Sequence, residues 1–245
     1  MSSNGLAQRQ LCVAVDASGY SARSDVDQRE AQRGIVEVSD AAARAAGLRR
    51  DTWVRQGAGD GEFAVLPVDE PEDVVVDRYI RELDAELTRY NGRLRAELRL
   101  RLRVAVYFGR LSPAANGHAG PAPVAVARLL DSSVLRAALA EADRANLALL
   151  VSEQVYADTV ASLATTLRPG DFRRVRVEVK GFAENAWLWV PDHDVHAIRL
   201  PEPEPPRPEQ APPRDTDPTS TVTSHFHQRV DAPHGVFGVQ FGAGR

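Results

Sequence analysis

The chain predicts an α+β domain, a mixed sheet with helices packed largely on one face, followed by an extended linker and a short tail. Three observations carry this. Strand-like and helix-like periodicities alternate from Leu11 to Val190. The 43% hydrophobic content of a 245-residue chain suffices for one sizeable core. After Pro191 the composition changes abruptly: Pro201–Pro218 is rich in Pro, Glu and Arg and lacks the apolar residues a core needs.

Taken in order, residues 1–10 are polar and flexible, and Leu11–Val15 is a continuous apolar run suited to a central strand covered on both faces. From Val26 to Leu48, the residues Ile35, Val38, Ala42, Ala45 and Ala46 recur at helical spacing, and Gly47 supplies a stop. Trp53–Gln56 and Glu62–Leu66 form a hairpin around the turn residues Gly57, Gly59, Asp60 and Gly61. Between Asp73 and Tyr90, Val76, Ile80, Leu83 and Leu87 make a helical stripe that Asn91-Gly92 ends. Leu98–Tyr107 alternates Leu or Val with Arg at period two, a strand with one wet face on which Arg99, Arg101 and Arg103 are solvated. Val124–Ala142 is helical with a break near Asp131-Ser132-Ser133, Leu147–Val151 is a buried strand, and Val155–Leu163 is a short helix. Arg174–Val179 and Ala186–Val190 close a last hairpin around Lys180-Gly181. The order β-α-β-β-α-β-α-β-α-β-β is that of a ferredoxin-like core with additions.

The net charge is −4 with both signs mixed along the chain, which argues against a nucleic-acid-binding surface. No signal core and no stretch approaching the ~20 apolar residues of a membrane span is visible, so neither nucleic acid nor membrane is an expected partner. Cys12 is the sole cysteine and cannot form an intrachain disulfide, which suits a reducing, cytoplasmic location. Lys180 is the only lysine in an otherwise arginine-based chain.

Two carboxylates stand out. Asp16 ends the first apolar run in LCVAVDASGYS, and Asp60 lies in the hairpin turn of WVRQGAGDGEFAVLP. Each follows a strand and adjoins glycine or a small residue, where a carboxylate is left free at a strand edge to hold a metal. With VAVYFG, GPAPVAVARLLDSS, LLVSEQVY and VEVKG, these motifs resemble, in the right order, the class III nucleotide cyclase catalytic domain; the likeness covers residues 11–192. The resemblance implies a divergent member of actinobacterial type with the cyclase form of the ferredoxin-like sheet. It also implies an enzyme of the phosphorus–oxygen lyase class that forms a 3′,5′-cyclic nucleotide and pyrophosphate from a nucleoside triphosphate in a signalling or defence pathway. Asp16 and Asp60 match the ligands of two Mg²⁺ or Mn²⁺ ions, a pair able to stabilise negative charge on the attacking and departing oxygens together. Arg128 and Lys180 match triphosphate-contacting residues, and the backbone of Ala17, Ser18, Gly19, Tyr20 and Ser21 offers N–H groups to the phosphates. Family sites form between subunits, which implies a head-to-tail homodimer.

The chain also departs from the pattern. The ribose-contacting asparagine of the family, four residues before the arginine, is Val124 here. The base-selecting positions are Gln56 and Gly117, and an amide both donates and accepts, so the base stays open. An alternative reading is therefore a degenerate cyclase-fold module that binds a nucleotide without turnover, or an adaptor.

Beyond the linker at 193–218, the segment 219–245 contains VDAPHGVFGVQFG at 230–242. Its Val239, Gln240, Phe241 and Gly242 resemble the core of bacterial amyloid-signalling motifs. In-register stacking of such a core gives a glutamine ladder and dry apolar contacts, and would recruit a signalling protein bearing a similar motif. The alternative is an unstructured tail. His225, His227 and His234 lack a fourth ligand and read as exposed histidines.

Overall fold

The computed structural model describes residues 7–201 apart from 58 and 116. The segment expected to act as an amyloid-signalling motif, Val239, Gln240, Phe241 and Gly242, and most of the linker lie outside the described residues.

The expected element order is present. Strand β1 (Gln8–Ala17) leads through α1 (Asp25–Ala46) to the hairpin β2 (Val54–Gly57) and β3 (Gly61–Val65). Next come α2 (Glu72–Val74), a π turn at Val75–Tyr79, and α3 (Ile80–Asn91). Strand β4 (Leu102–Ala114) pairs with the short β5 (Gly117–Ala119) and is followed by α4 (Pro121–Leu130) and α5 (Ser133–Glu141). Strand β6 (Leu147–Ser152), helix α6 (Glu153–Tyr156), a second π turn at Ala157–Ala161, and the hairpin β7 (Arg173–Val179) and β8 (Phe182–Trp189) complete the domain. The strands run in the order β2-β3-β1-β4-β6-β8-β7, so the apolar run at the start of the chain is indeed central. Only the β4–β6 pairing is parallel among the described ladders.

Local chemistry fixes the helix ends. Ser24 caps α1 by accepting from the Asp27 N–H, and Gly47 ends it at φ 79°, a left-handed conformation that glycine adopts without Cβ strain. The break expected after α4 is real: Ser132 caps α5 by accepting from the Leu135 N–H.

The helices do not gather on one face. Residues of α1, α3 and α6 pack with Leu11, Val13, Val15 and Val104 on one side of the sheet. Residues of α4 and α5 pack with Cys12, Ala14, Ala105 and Leu150 on the other. Period-two alternation along β1 and β6 is masked by apolar residues on both faces, which is why the sequence does not reveal the division.

The same covering overturns the wet face expected for β4. Arg101 bonds the carbonyls of Ala145, Ala142 and Leu139 at 2.8, 2.6 and 2.5 Å, closing the C-terminal end of α5, and Arg103 turns inward to Asp16. Two domain boundaries also move. Gln8–Gln10 join β1 rather than a flexible terminus. Past residue 192, Val195 and Ile198 are buried, and Arg173 donates to both of their carbonyls. No described helix is long and apolar enough to cross a membrane.

Candidate active site

Asp16 and Asp60 meet at the upper edge of the β1–β3 pair. Asp16 lies opposite Gly61 in the ladder, and the Ala17 N–H donates to the Asp60 carbonyl at 2.8 Å. Gly61 is what permits this approach, because a Cβ there would stand 2.1 Å from the Val15 carbonyl oxygen and 3.0 Å from Asp16 Cα. The hairpin residue beside Asp60 therefore has a steric reason to be glycine.

The Asp16 side chain points to the α4 side of the sheet. Its partner across β4 is Arg103, whose Nε and Nη2 donate to the two carboxylate oxygens at 2.7 and 2.8 Å. Burial pushes the Asp16 carboxyl up to about 6; Arg103 opposes that shift and neighbouring Asp60 adds to it. Two adjacent carboxylates that repel each other, one already bound to a cation, form a donor set that suits divalent ions. Among the described residues no group of three or more His, Cys, Asp or Glu side chains forms a metal cage, so such ions would rely on two aspartates, phosphate oxygens and water.

Beside the carboxylates is a cavity of about 330 Å³, lined among others by Gln56, Phe63, His118, Val126 and Leu130. Gln56 leans over Gly117: a Cβ on Gly117, at φ +99°, would lie 2.7 Å from the Gln56 Oε1. The two positions expected to select the base are thus adjacent, and His118, next to Gly117, lines the cavity and packs edge-on against Phe63 with centroids 6.4 Å apart. His118 was legible only as a neighbour of Gly117 in the sequence; the short β5 strand turns it into the cavity.

The remaining positions behave less uniformly. Of the five loop amides, that of Ala17 is bonded to Asp60 and that of Ser18 to the Arg101 carbonyl at 2.8 Å, so neither is offered to a phosphate. That leaves the Gly19–Ser21 turn, entered through Gly19 at φ 70°. Arg128 lies half-buried in the last turn of α4, without an ion pair among the described residues, and Val124, one turn earlier, is 54% exposed. Lys180 occupies the β7–β8 turn at φ 49°, with Nζ 3.9 Å from Asp131 Oδ2 at the C-cap of α4. Neither Arg128 nor Lys180 lines the cavity beside Asp16.

No protein-family model matches the chain, and no curated protein matches it. Solved structures do. The adenylate/guanylate cyclase/hydrolase from Silicibacter pomeroyi superposes with a TM-score of 0.53 at 22% identity, over 76% of this chain and all (100%) of that one. The guanylyl cyclase Cya2 gives 0.51 at 10% identity, over 76% of this chain and 92% of that one. A bacterial light-regulated adenylyl cyclase gives 0.53 at 13% identity, over 75% of this chain and 52% of that one. The fold is that of the cyclase catalytic domains. Within this cyclase fold, the strand edge carrying Asp16 and Asp60 and the adjoining cavity form one continuous surface.

Proposed function

We propose that the chain is a nucleotide cyclase of the class III type, a divergent actinobacterial-type member, that forms a 3′,5′-cyclic nucleotide and pyrophosphate from a nucleoside triphosphate. The observation that carries this reading is the juxtaposition of Asp16 and Asp60 at one strand edge of a cyclase fold. In the reaction the ribose 3′-oxygen forms a bond to the α-phosphorus, the bond from that phosphorus to the bridging oxygen breaks, and the 3′-hydroxyl proton is released. Asp16 and Asp60 would hold two Mg²⁺ or Mn²⁺ ions, which supply charge stabilisation to the attacking and leaving oxygens.

The protein's own groups complete the site. Arg128 presents a planar fork of donors to the phosphates, and Lys180 a point charge. Gly19, Tyr20 and Ser21 offer backbone N–H groups, and Gln56 touches the base. Arg128 and Lys180 stand apart from the cavity of their own protomer, which agrees with a site assembled head-to-tail between two copies. The C-terminal motif connects the domain to a motif-bearing partner in a signalling or defence pathway.

The test is turnover of each of the four nucleoside triphosphates with Mg²⁺ or Mn²⁺. A cyclic product is expected, and Asp16→Ala should abolish it; no product from any triphosphate in a dimeric sample would refute the activity. The second reading, a module that binds nucleotide without turnover, is favoured by Val124, which places an exposed apolar side chain where a ribose-contacting donor belongs. Nucleotide-dependent thermal stabilisation without product identifies it.

A further inference from the structure

We infer that Arg103 is a resident counter-cation of the metal site, one that holds Asp16 while no ion is bound and must be displaced when a divalent ion arrives, so that it sets the affinity of the site. This rests on the reading of Asp16 as a metal ligand. The geometry is specific. Asp16 and Arg103 are direct cross-strand partners in the β1–β4 ladder, and each side chain is only 13% exposed. The guanidinium engages both carboxylate oxygens, at 2.7 and 2.8 Å. A fixed positive charge in that position repels a second cation at the same carboxylate, and the repulsion is strengthened by the low exposure.

Stability alone is a poor account of the pair, since a largely buried ion pair seldom outperforms apolar packing and the surrounding face is otherwise built from residues such as Cys12, Ala14 and Ala105. The contrast with Arg101 is instructive. Two residues earlier on the same face, Arg101 bonds only main-chain carbonyls of the α5 end and the following loop. Arg103 instead bonds the carboxylate directly across the ladder from it, beside Asp60.

Arg103 acts as a positioning residue, bonded to Asp16 and acting through it.

The experiment uses the metal-stripped full chain, titrated with Mn²⁺ in the absence of nucleotide, with free Mn²⁺ read by electron paramagnetic resonance. Arg103→Gln should bind Mn²⁺ about tenfold more tightly than the wild type, the scale on which one charge-assisted contact moves an affinity. The metal-free variant should also melt lower, and regain more on adding Mn²⁺. Arg103→Lys keeps the charge but loses the fork, and should fall between the two; it decides the matter by the same criterion if Arg103→Gln does not fold. Asp16→Asn, alone or combined with Arg103→Gln, should remove the tight binding. Asp16-dependent binding that Arg103→Gln leaves unchanged or weakens overturns the role of Arg103 alone. Absence of any Asp16-dependent Mn²⁺ binding in all variants overturns both that role and the metal-ligand reading.

Discussion

At the residue scale, the informative positions are those that separate the proposed turnover from the alternative of binding alone. Val124 is exposed and lies one helical turn before Arg128, so an asparagine there fits without repacking and regains a donor beside the arginine. Val124→Asn should raise kcat on the order of 10²-fold, measured with the best of the four triphosphates, because a single positioned donor is worth about that much. An unchanged rate would show that ribose orientation is supplied elsewhere. The nearness of Asp16 and Asp60 was legible in the sequence from the hairpin that carries Asp60 back toward the first strand, although an aspartate among glycines also serves as an ordinary turn former. Arg103 was not. Its alternation with leucine and valine reads as a solvated face, and only the cross-strand register reveals that Asp16 stands opposite it.

At the element scale, the β2–β3 hairpin is the part on which the site depends most. It carries Gln56 and Asp60 and is tied to the body of the domain by the buried Arg50, which pairs with Asp40 of α1 and with Glu62 of β3. Gly61 sets its distance from β1. Gly61→Ala places a methyl group against the Val15 carbonyl and should destabilise the domain by about 3 kcal/mol, the upper end of typical overpacking costs, read from urea denaturation. It should also separate Asp60 from Asp16 and remove turnover in whatever folded fraction remains. Helix and strand types were readable from periodicity and from caps such as Ser24 and Gly47. Less readable were the short β5 strand and the π turns at Val75–Tyr79 and Ala157–Ala161, since a three-residue strand has no periodicity and a π turn differs from an α turn only in hydrogen bonding.

At the scale of the whole molecule, the proposed function turns on assembly. If the site is shared head-to-tail, Asp16→Ala and Arg128→Ala spoil different halves of it. Mixing the two inactive variants in equal amounts and allowing exchange should then restore about a quarter of wild-type activity, because half the dimers are mixed and each mixed dimer keeps one intact site. No recovery, with exchange verified by differently tagged copies, would place both residues in the site of a single protomer. The sequence conveyed the order of elements and thereby the fold, but not the allocation of helices to two faces. That allocation depends on which residues of an all-apolar strand point which way, and on an end to the domain set by Val195 and Ile198 rather than by the first prolines.

The central position of β1 has a consequence for synthesis. Strand β1 is flanked by β3 and β4, and β4 begins only at Leu102. At ~5–20 residues per second, Leu11–Val15 waits roughly 5–20 s for that neighbour, with one edge of an apolar strand unpaired. The nascent chain therefore exposes this apolar strand well before its second neighbour is available. Expression yield should respond to chaperone supply and temperature more than the stability of the finished domain would suggest.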